Sequence, residues 1–92
     1  MNRLKDCVAV VTGGAMGIGR SACLLMAREG ARVAVADRDE AAGKAVAAEI
    51  RAAGGEAEFW NVDVASESSV KQAFASIEAR FSPVTALVNN AG

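Results

Sequence analysis

The sequence has no histidine, no tyrosine, two cysteines and one proline, and aromatic residues make up only 4% of it. Without histidine it lacks the commonest metal ligand and the base of a Ser-His-Asp triad. Without tyrosine as well, the side chains best suited to handle a proton at a substrate hydroxyl are missing. Cys7 falls in an expected strand and Cys23 in an expected helix, so they read as two buried free thiols of a reduced compartment rather than a disulfide or a metal site. The net charge is only −1, which gives no electrostatic case for nucleic acid or an anionic membrane. No apolar run approaches a membrane span. Arg3 and Lys5 are followed by Asp6, and the apolar run after them is too short for a signal peptide, so a cytoplasmic location is expected.

What is present is a chain of 92 residues, 52% apolar and 23% charged, the balance of one small globular domain. Its organising stretch is Thr12-Gly13-Gly14-Ala15-Met16-Gly17-Ile18-Gly19. A short apolar run, Cys7 to Val11, precedes it, and a helical pattern follows. Strand, glycine turn and helix start in that order form a phosphate cradle. Glycine admits positive φ and a close ligand, and the free N–H groups and dipole of the helix's first turn face the anion. Asp37 ends a second apolar run, Arg32 to Ala36, at about the distance expected of a ribose-binding acid. These features suggest a dinucleotide site. The spacing G-x-x-x-G-x-G differs from the commoner G-x-G-x-x-G and could be a plain tight turn. Gly14 to Ser21 also reads G-x-x-x-x-G-R-S, a Walker A loop with Arg20 in place of its lysine. Asp37 and the last residues of the chain favour the dinucleotide.

Taken in order, the first strand covers residues 7 to 12, continuous in its apolar character as for burial on both faces. The first helix runs from about Gly17 to Glu29, with Ile18, Ala22, Leu25 and Met26 as its apolar stripe and Gly30 as its stop. The second strand is Arg32 to Ala36, with Asp37 at its tip. Asp37 or Asp39 could equally cap the next helix, Glu40 to Ala53. That helix puts Ala42, Val46, Ile50 and Ala53 on one face and ends at Gly54-Gly55. The third strand is Glu56 to Val62, with Trp60 packing at the sheet edge. Asp63-Val64 follows, then a helix from Glu67 to Arg80 that Ser66 can cap and whose apolar positions are Val70, Phe74, Ile77 and Phe81. Thr85 to Val88 form the fourth strand, and Asn89-Asn90-Ala91-Gly92 turns out of it. Three strand-helix-strand units with short loops imply an α/β fold: a Rossmann-type parallel sheet, order 3-2-1-4, with a ligand crevice where the order reverses.

Together, Thr12-Gly13-x-x-x-Gly17-Ile18-Gly19, Asp37, Asp63-Val64 and Asn89-Asn90-Ala91-Gly92 resemble the short-chain dehydrogenase/reductase family in order and approximate spacing. The likeness extends from residue 5 to residue 92. It implies that Gly13, Gly14, Ala15, Met16, Gly17, Ile18 and Gly19 hold a pyrophosphate and that Asp37 accepts the adenosine ribose hydroxyls. It further implies that Asp63 and Val64 hold adenine, that Asn90, Ala91 and Gly92 line the nicotinamide-ribose side, and that the Thr12 hydroxyl ties the turn to the fourth strand. The family's common acid before that strand is Thr85 here. The family uses a Tyr and a Lys in a Y-x-x-x-K motif beyond the Asn-Asn-Ala-Gly turn. The chain is therefore expected to be the cofactor-binding half of such an enzyme, without catalytic residues of its own.

The cofactor expected from Asp37 is NAD rather than NADP, and the resembling enzymes act on a small-molecule substrate. The complete enzyme is expected to be a homo-oligomer. The chain by itself is expected to be marginally stable and prone to self-association, because one sheet face is thinly covered and the fourth strand is an open edge. A non-catalytic nucleotide-binding module and a methyltransferase are the alternatives.

Overall fold

A computed structural model describes residues 4–90; Ala91 and Gly92 lie outside the described residues. Strands and helices alternate as β1 (Val8–Thr12), α1 (Gly17–Arg28), β2 (Arg32–Asp37), α2 (Glu40–Ala52), β3 (Glu56–Asn61), α3 (Glu67–Arg80) and β4 (Ala86–Asn89). Every boundary falls within one residue of that expected. All neighbouring strands are parallel, in the order β3-β2-β1-β4.

The order explains the burial. β1 lies in the middle of the sheet, and all five of its residues are buried. Successive side chains of a strand alternate between faces. Ala9 and Val11 therefore join Val33, Val35, Val46, Ile50 and Cys23 under α1 and α2, whereas Val8 and Val10 join Ala34, Ala36, Ala73 and Ile77 under α3. Right-handed crossovers require this division, since β1 to β2 and β2 to β3 advance in one direction and β3 to β4 returns. Trp60 packs at the β3 edge as expected. Its ring meets Phe81 edge-on at 5.8 Å and its Nε1 donates to Ser76 Oγ at 2.9 Å.

The structure corrects three details. Ile18 and Leu25 are not in the core: they are 77% and 55% exposed, and the buried residues of α1 are Gly19 and Cys23. Ala22 and Met26 do pack against the core from partly buried positions, and the buried stripe is centred on Gly19 and Cys23 because the glycine side of the helix is drawn against the turn that precedes it. Ala53 likewise leaves the α2 stripe and is exposed at the C-cap, where Gly43, Val46, Ala47 and Ile50 make the buried face. As for the thiols, Cys23 is fully buried and its burial pushes the thiol up to about 12. Cys7, expected to be buried within a strand, is half-buried just before β1.

The two sheet edges differ. Strand β3 carries Glu56 and Glu58, paired with Arg32 at 3.8 Å and Arg80 at 3.0 Å. Charges of this kind block edge-to-edge pairing. Strand β4 reads Ala86-Leu87-Val88-Asn89, without a charge, and Leu87 is 55% exposed. The 92-residue chain is therefore expected to self-associate through β4, and Leu87→Lys to shift it towards monomer. Size-exclusion chromatography over a concentration series checks this; an unchanged elution for the variant would remove β4 from the interface.

Candidate functional site

Because all four strands run the same way, the segments after them meet at one edge of the sheet. The glycine turn follows β1, Asp37 ends β2, Asp63-Val64 follows β3 and Asn90 follows β4. The connections from β1 and to β4 lie on opposite faces, which opens a crevice beside β1. The structure thus brings the expected residues 13–19, 37 and 90 to one end, with Asp63 and Val64 one strand further out.

The turn is built by close approach. Gly13 and Gly17 have φ of +65° and +58°, in the left-handed region. Gly19 has no room for a side chain: a Cβ there would overlap the Gly13 carbonyl and lie 2.9 Å from Asn90 Nδ2. Gly17 is different, with no heavy atom within 4 Å of a Cβ position. That opening, with the exposed Met16 and Ile18 on either side, leaves the mouth of the turn free for a ligand.

The helix starts differ electrostatically. Helix α2 is capped by Asp39, which accepts from Ala42 N at 3.0 Å, and has Glu40 in its first turn. Helix α3 is capped by Ser66, accepting from Ser69 N at 3.2 Å, and has Glu67 in its first turn. Helix α1 has Met16 at its N-cap, with no side-chain cap and no acid in its first turn. Its leading N–H groups and positive dipole end are therefore left for an external anion. Arg20 is held by Glu49 of α2, with Nη2 at 2.8 and 2.9 Å from the two carboxylate oxygens. It is thus committed to the helix–helix contact rather than to a Walker-type phosphate role.

Asp37 does not cap α2; Asp39 does. The carboxylate of Asp37 accepts from Ala15 N through Oδ2 and from Asp39 N through Oδ1, each at 3.0 Å. Asp63 sits in a turn, its Oδ1 accepting from Ala65 N at 3.0 Å and its own N–H donating to Ser69 Oγ at 3.1 Å. Val64 is 43% exposed beside it.

At the end of β4, the Thr12 hydroxyl accepts from Asn90 N at 3.0 Å and lies 3.3 Å from the Val88 carbonyl, the tie that the family resemblance implied. Asn90 Nδ2 donates to the Gly13 carbonyl at 3.4 Å, so this side chain braces the turn. Sequence reading missed that role and the hold of Asp37 on Ala15, because neither contact leaves a local pattern. A cavity of about 500 Å³ lies at the opposite end of the sheet, lined by Ala27, Arg28, Gly54, Gly55 and Glu56 among others; none of the glycine-turn residues borders it.

Gly19→Val is expected to abolish dinucleotide binding. Gly17→Ala meets no protein atom but puts a methyl at the open mouth of the turn. It should weaken binding without abolishing it, through the left-handed backbone preference, about 1–2 kcal/mol, and that methyl's contact with the ligand. Isothermal titration of both variants checks the order; equal and unimpaired binding by the two would dissociate the turn from the ligand.

The family described as short chain dehydrogenase matches residues 7–92. A cyclopentanol dehydrogenase of Comamonas sp. (strain NCIMB 9872) is 48% identical over 92 residues, 100% of this chain and 37% of that protein. A 3beta-hydroxysteroid dehydrogenase of Mediterraneibacter gnavus is 40% identical over 92 residues, 100% of this chain and 33% of that protein. The crystal structure of a hydroxysteroid dehydrogenase from Escherichia coli superposes with a TM-score of 0.95 at 34% identity, covering 98% of this chain and 38% of that one. The chain spans about a third of the length of these curated relatives. With its fold, its glycine turn and nearly all of its residues matched in this way, the chain belongs to the short chain dehydrogenase family.

Proposed function

We propose that this chain is the nucleotide-holding part of an oxidoreductase that moves a hydride between NAD and an alcohol or ketone carbon of a small molecule. The observation that carries the reading is the bare start of α1, uncapped and without an acid, beside a carboxylate at the tip of the next strand. A pyrophosphate fits the first feature and a ribose diol the second. A nicotinamide dinucleotide is the cofactor class of the family, and when bound it supplies the hydride acceptor or donor.

The chain's own residues bind and orient. Backbone N–H groups between Gly13 and Gly19, other than those of Gly14 and Ala15, which bond to Ala36 and Asp37, would hold the pyrophosphate. Asp37 would accept the adenosine ribose hydroxyls, and Asp63 and Val64 would hold adenine. Asn90, with Ala91 and Gly92, would line the nicotinamide-ribose side. The relatives named for cyclopentanol and 3beta-hydroxysteroids support a cyclic secondary alcohol as the substrate class. The chain has no tyrosine or histidine to hold a proton at the substrate oxygen, so that step falls to residues outside it. Two free cysteines support a reducing compartment, the cytoplasm.

The preference for NAD follows from charge. Hydrogen bonds to a carboxylate are worth about 1.5–3 kcal/mol each, whereas a 2′-phosphate would meet the Asp37 carboxylate at close range and be repelled. Met16, uncharged at the turn, supports the same choice; Arg38, next to Asp37, opposes it weakly. NAD is expected to bind more tightly than NADP, and Asp37→Ala to narrow the gap, as measured by isothermal titration. Tighter binding of NADP by the unaltered protein would refute the assignment. The purified 92-residue chain is also expected to produce no NADH from secondary alcohols, and steady turnover in that assay would show that proton transfer needs neither side chain.

A further inference from the structure

We propose that Asp37 is a positioning residue for the glycine turn as well as the acid that faces the ribose, a role that rests on the dinucleotide reading above. The turn needs a clamp. Gly13 and Gly17, both left-handed, flank Ala15, and glycine gives up more conformational freedom than any other residue when it is fixed. Two neutral contacts hold the turn to the sheet: Gly14 N to the Ala36 carbonyl at 3.3 Å and Asn90 Nδ2 to the Gly13 carbonyl at 3.4 Å. Both are long. The contact from Ala15 N to Asp37 Oδ2 is 3.0 Å, and its acceptor is ionised, which strengthens such a bond about twofold over a neutral one. It joins residues 22 positions apart and closes the turn onto the tip of β2.

The clamp is itself anchored. Oδ1 of Asp37 accepts from Asp39 N at 3.0 Å, and the Asp37 carbonyl accepts from Val62 N at 3.1 Å. One carboxylate oxygen is thus fixed to the start of the β2–α2 connection and the other to the turn. Each oxygen has two lone pairs, so each keeps an acceptor for a ribose hydroxyl while the amide stays bound. Ribose recognition and the shape of the pyrophosphate cradle therefore depend on the same group. Replacing the acid to change cofactor choice also loosens the cradle, and so weakens every dinucleotide.

A ligand without the hydroxyls separates the two roles. The probe is the NAD analogue whose adenosine ribose is 2′,3′-dideoxy, titrated into the unaltered protein and Asp37→Ala. A residue that only reads hydroxyls contributes nothing to this analogue. A turn held in its binding shape one time in ten binds about tenfold more weakly, and that loss is expected for Asp37→Ala. Amide hydrogen exchange in the protein without ligand gives a second reading. Exchange at Ala15 should accelerate at least about tenfold in Asp37→Ala, the same fraction read from the open side, while the Val10 and Val33 amides of the sheet keep their rates. Should the sheet amides lose protection, Asp37→Asn takes the place of the variant: it removes the charge and leaves one acceptor oxygen for the two amides of Ala15 and Asp39, with an expected change of at least about threefold. Unchanged affinity for the analogue, or unchanged exchange at Ala15, overturns the proposal. Failure of the unaltered protein to bind NAD at all would instead sink the dinucleotide reading, and the exchange measurement alone would then decide whether Asp37 holds the turn.

Discussion

The contact between the first turn of α1 and the carbonyl of Gly13 sets the geometry of this chain. Only glycine at position 19 permits it. Once made, it fixes how α1 lies on the sheet, and Cys23, one turn further on, becomes the residue that reaches the core. The same contact turns Ile18 and Leu25 outwards, against what their hydrophobicity alone suggests. It also aims the start of α1 along the ends of β1 and β2. A bulkier residue at position 19 would push the helix from the strand and lose the orientation of its amides together with the packing.

The contact is braced from the far end of the chain. Strand β4 lies beside β1, and its last residues reach the turn through Thr12 and Asn90. At the other end of the same strand pair, Val8 N donates to Thr85 Oγ1 at 2.8 Å and Thr85 N donates to the Val8 carbonyl at 3.0 Å. Thr85, which stands where the family commonly has an acid, thus gives β4 a neutral tie to β1. The turn is as firm as β4 is, and β4 is the strand with the uncharged open edge.

Much of this was legible in the residues. The continuous run Cys7 to Val11 read as a strand buried on both faces, and Val46 and Ile50 marked the buried face of α2 by helical spacing. The strand order followed from the doubly-wound pattern that the dinucleotide reading implies, and handedness then placed the helices on their faces. Spacing also brought the glycines and Asp37 to the same end of the sheet. Periodicity failed on α1, where Ile18 and Leu25 satisfy the pattern but a backbone contact decides the facing. It was silent on Asn90 and Gly13, 77 positions apart, since a single hydrogen bond across a sheet has no sequence period. Cys7 looked like part of β1 because an apolar residue beside a strand resembles one within it. What separates them is where the ladder begins, at Val8 opposite Arg32 of β2.

The three helix starts all stand at the same end of the sheet, and their energetics set α1 apart from the other two without reference to any motif. A side-chain cap is worth about 0.5–2 kcal/mol, and an acid in the first turn adds about 0.3–1 kcal/mol through the dipole. Helices α2 and α3 have both; α1 has neither, and carries the cation Arg20 in its first turns instead. The pair with Glu49 offsets some of that mismatch. It is exposed on both sides, 45% and 48%, so its contribution is of the surface kind, about 0–1 kcal/mol. A chain that caps two helices and leaves the third bare gives up stability at that one place. Local rules broken at a single position amid general consistency mark a functional site. Under the proposed dinucleotide reading, the anion that α1 lacks at its start is the ligand's pyrophosphate.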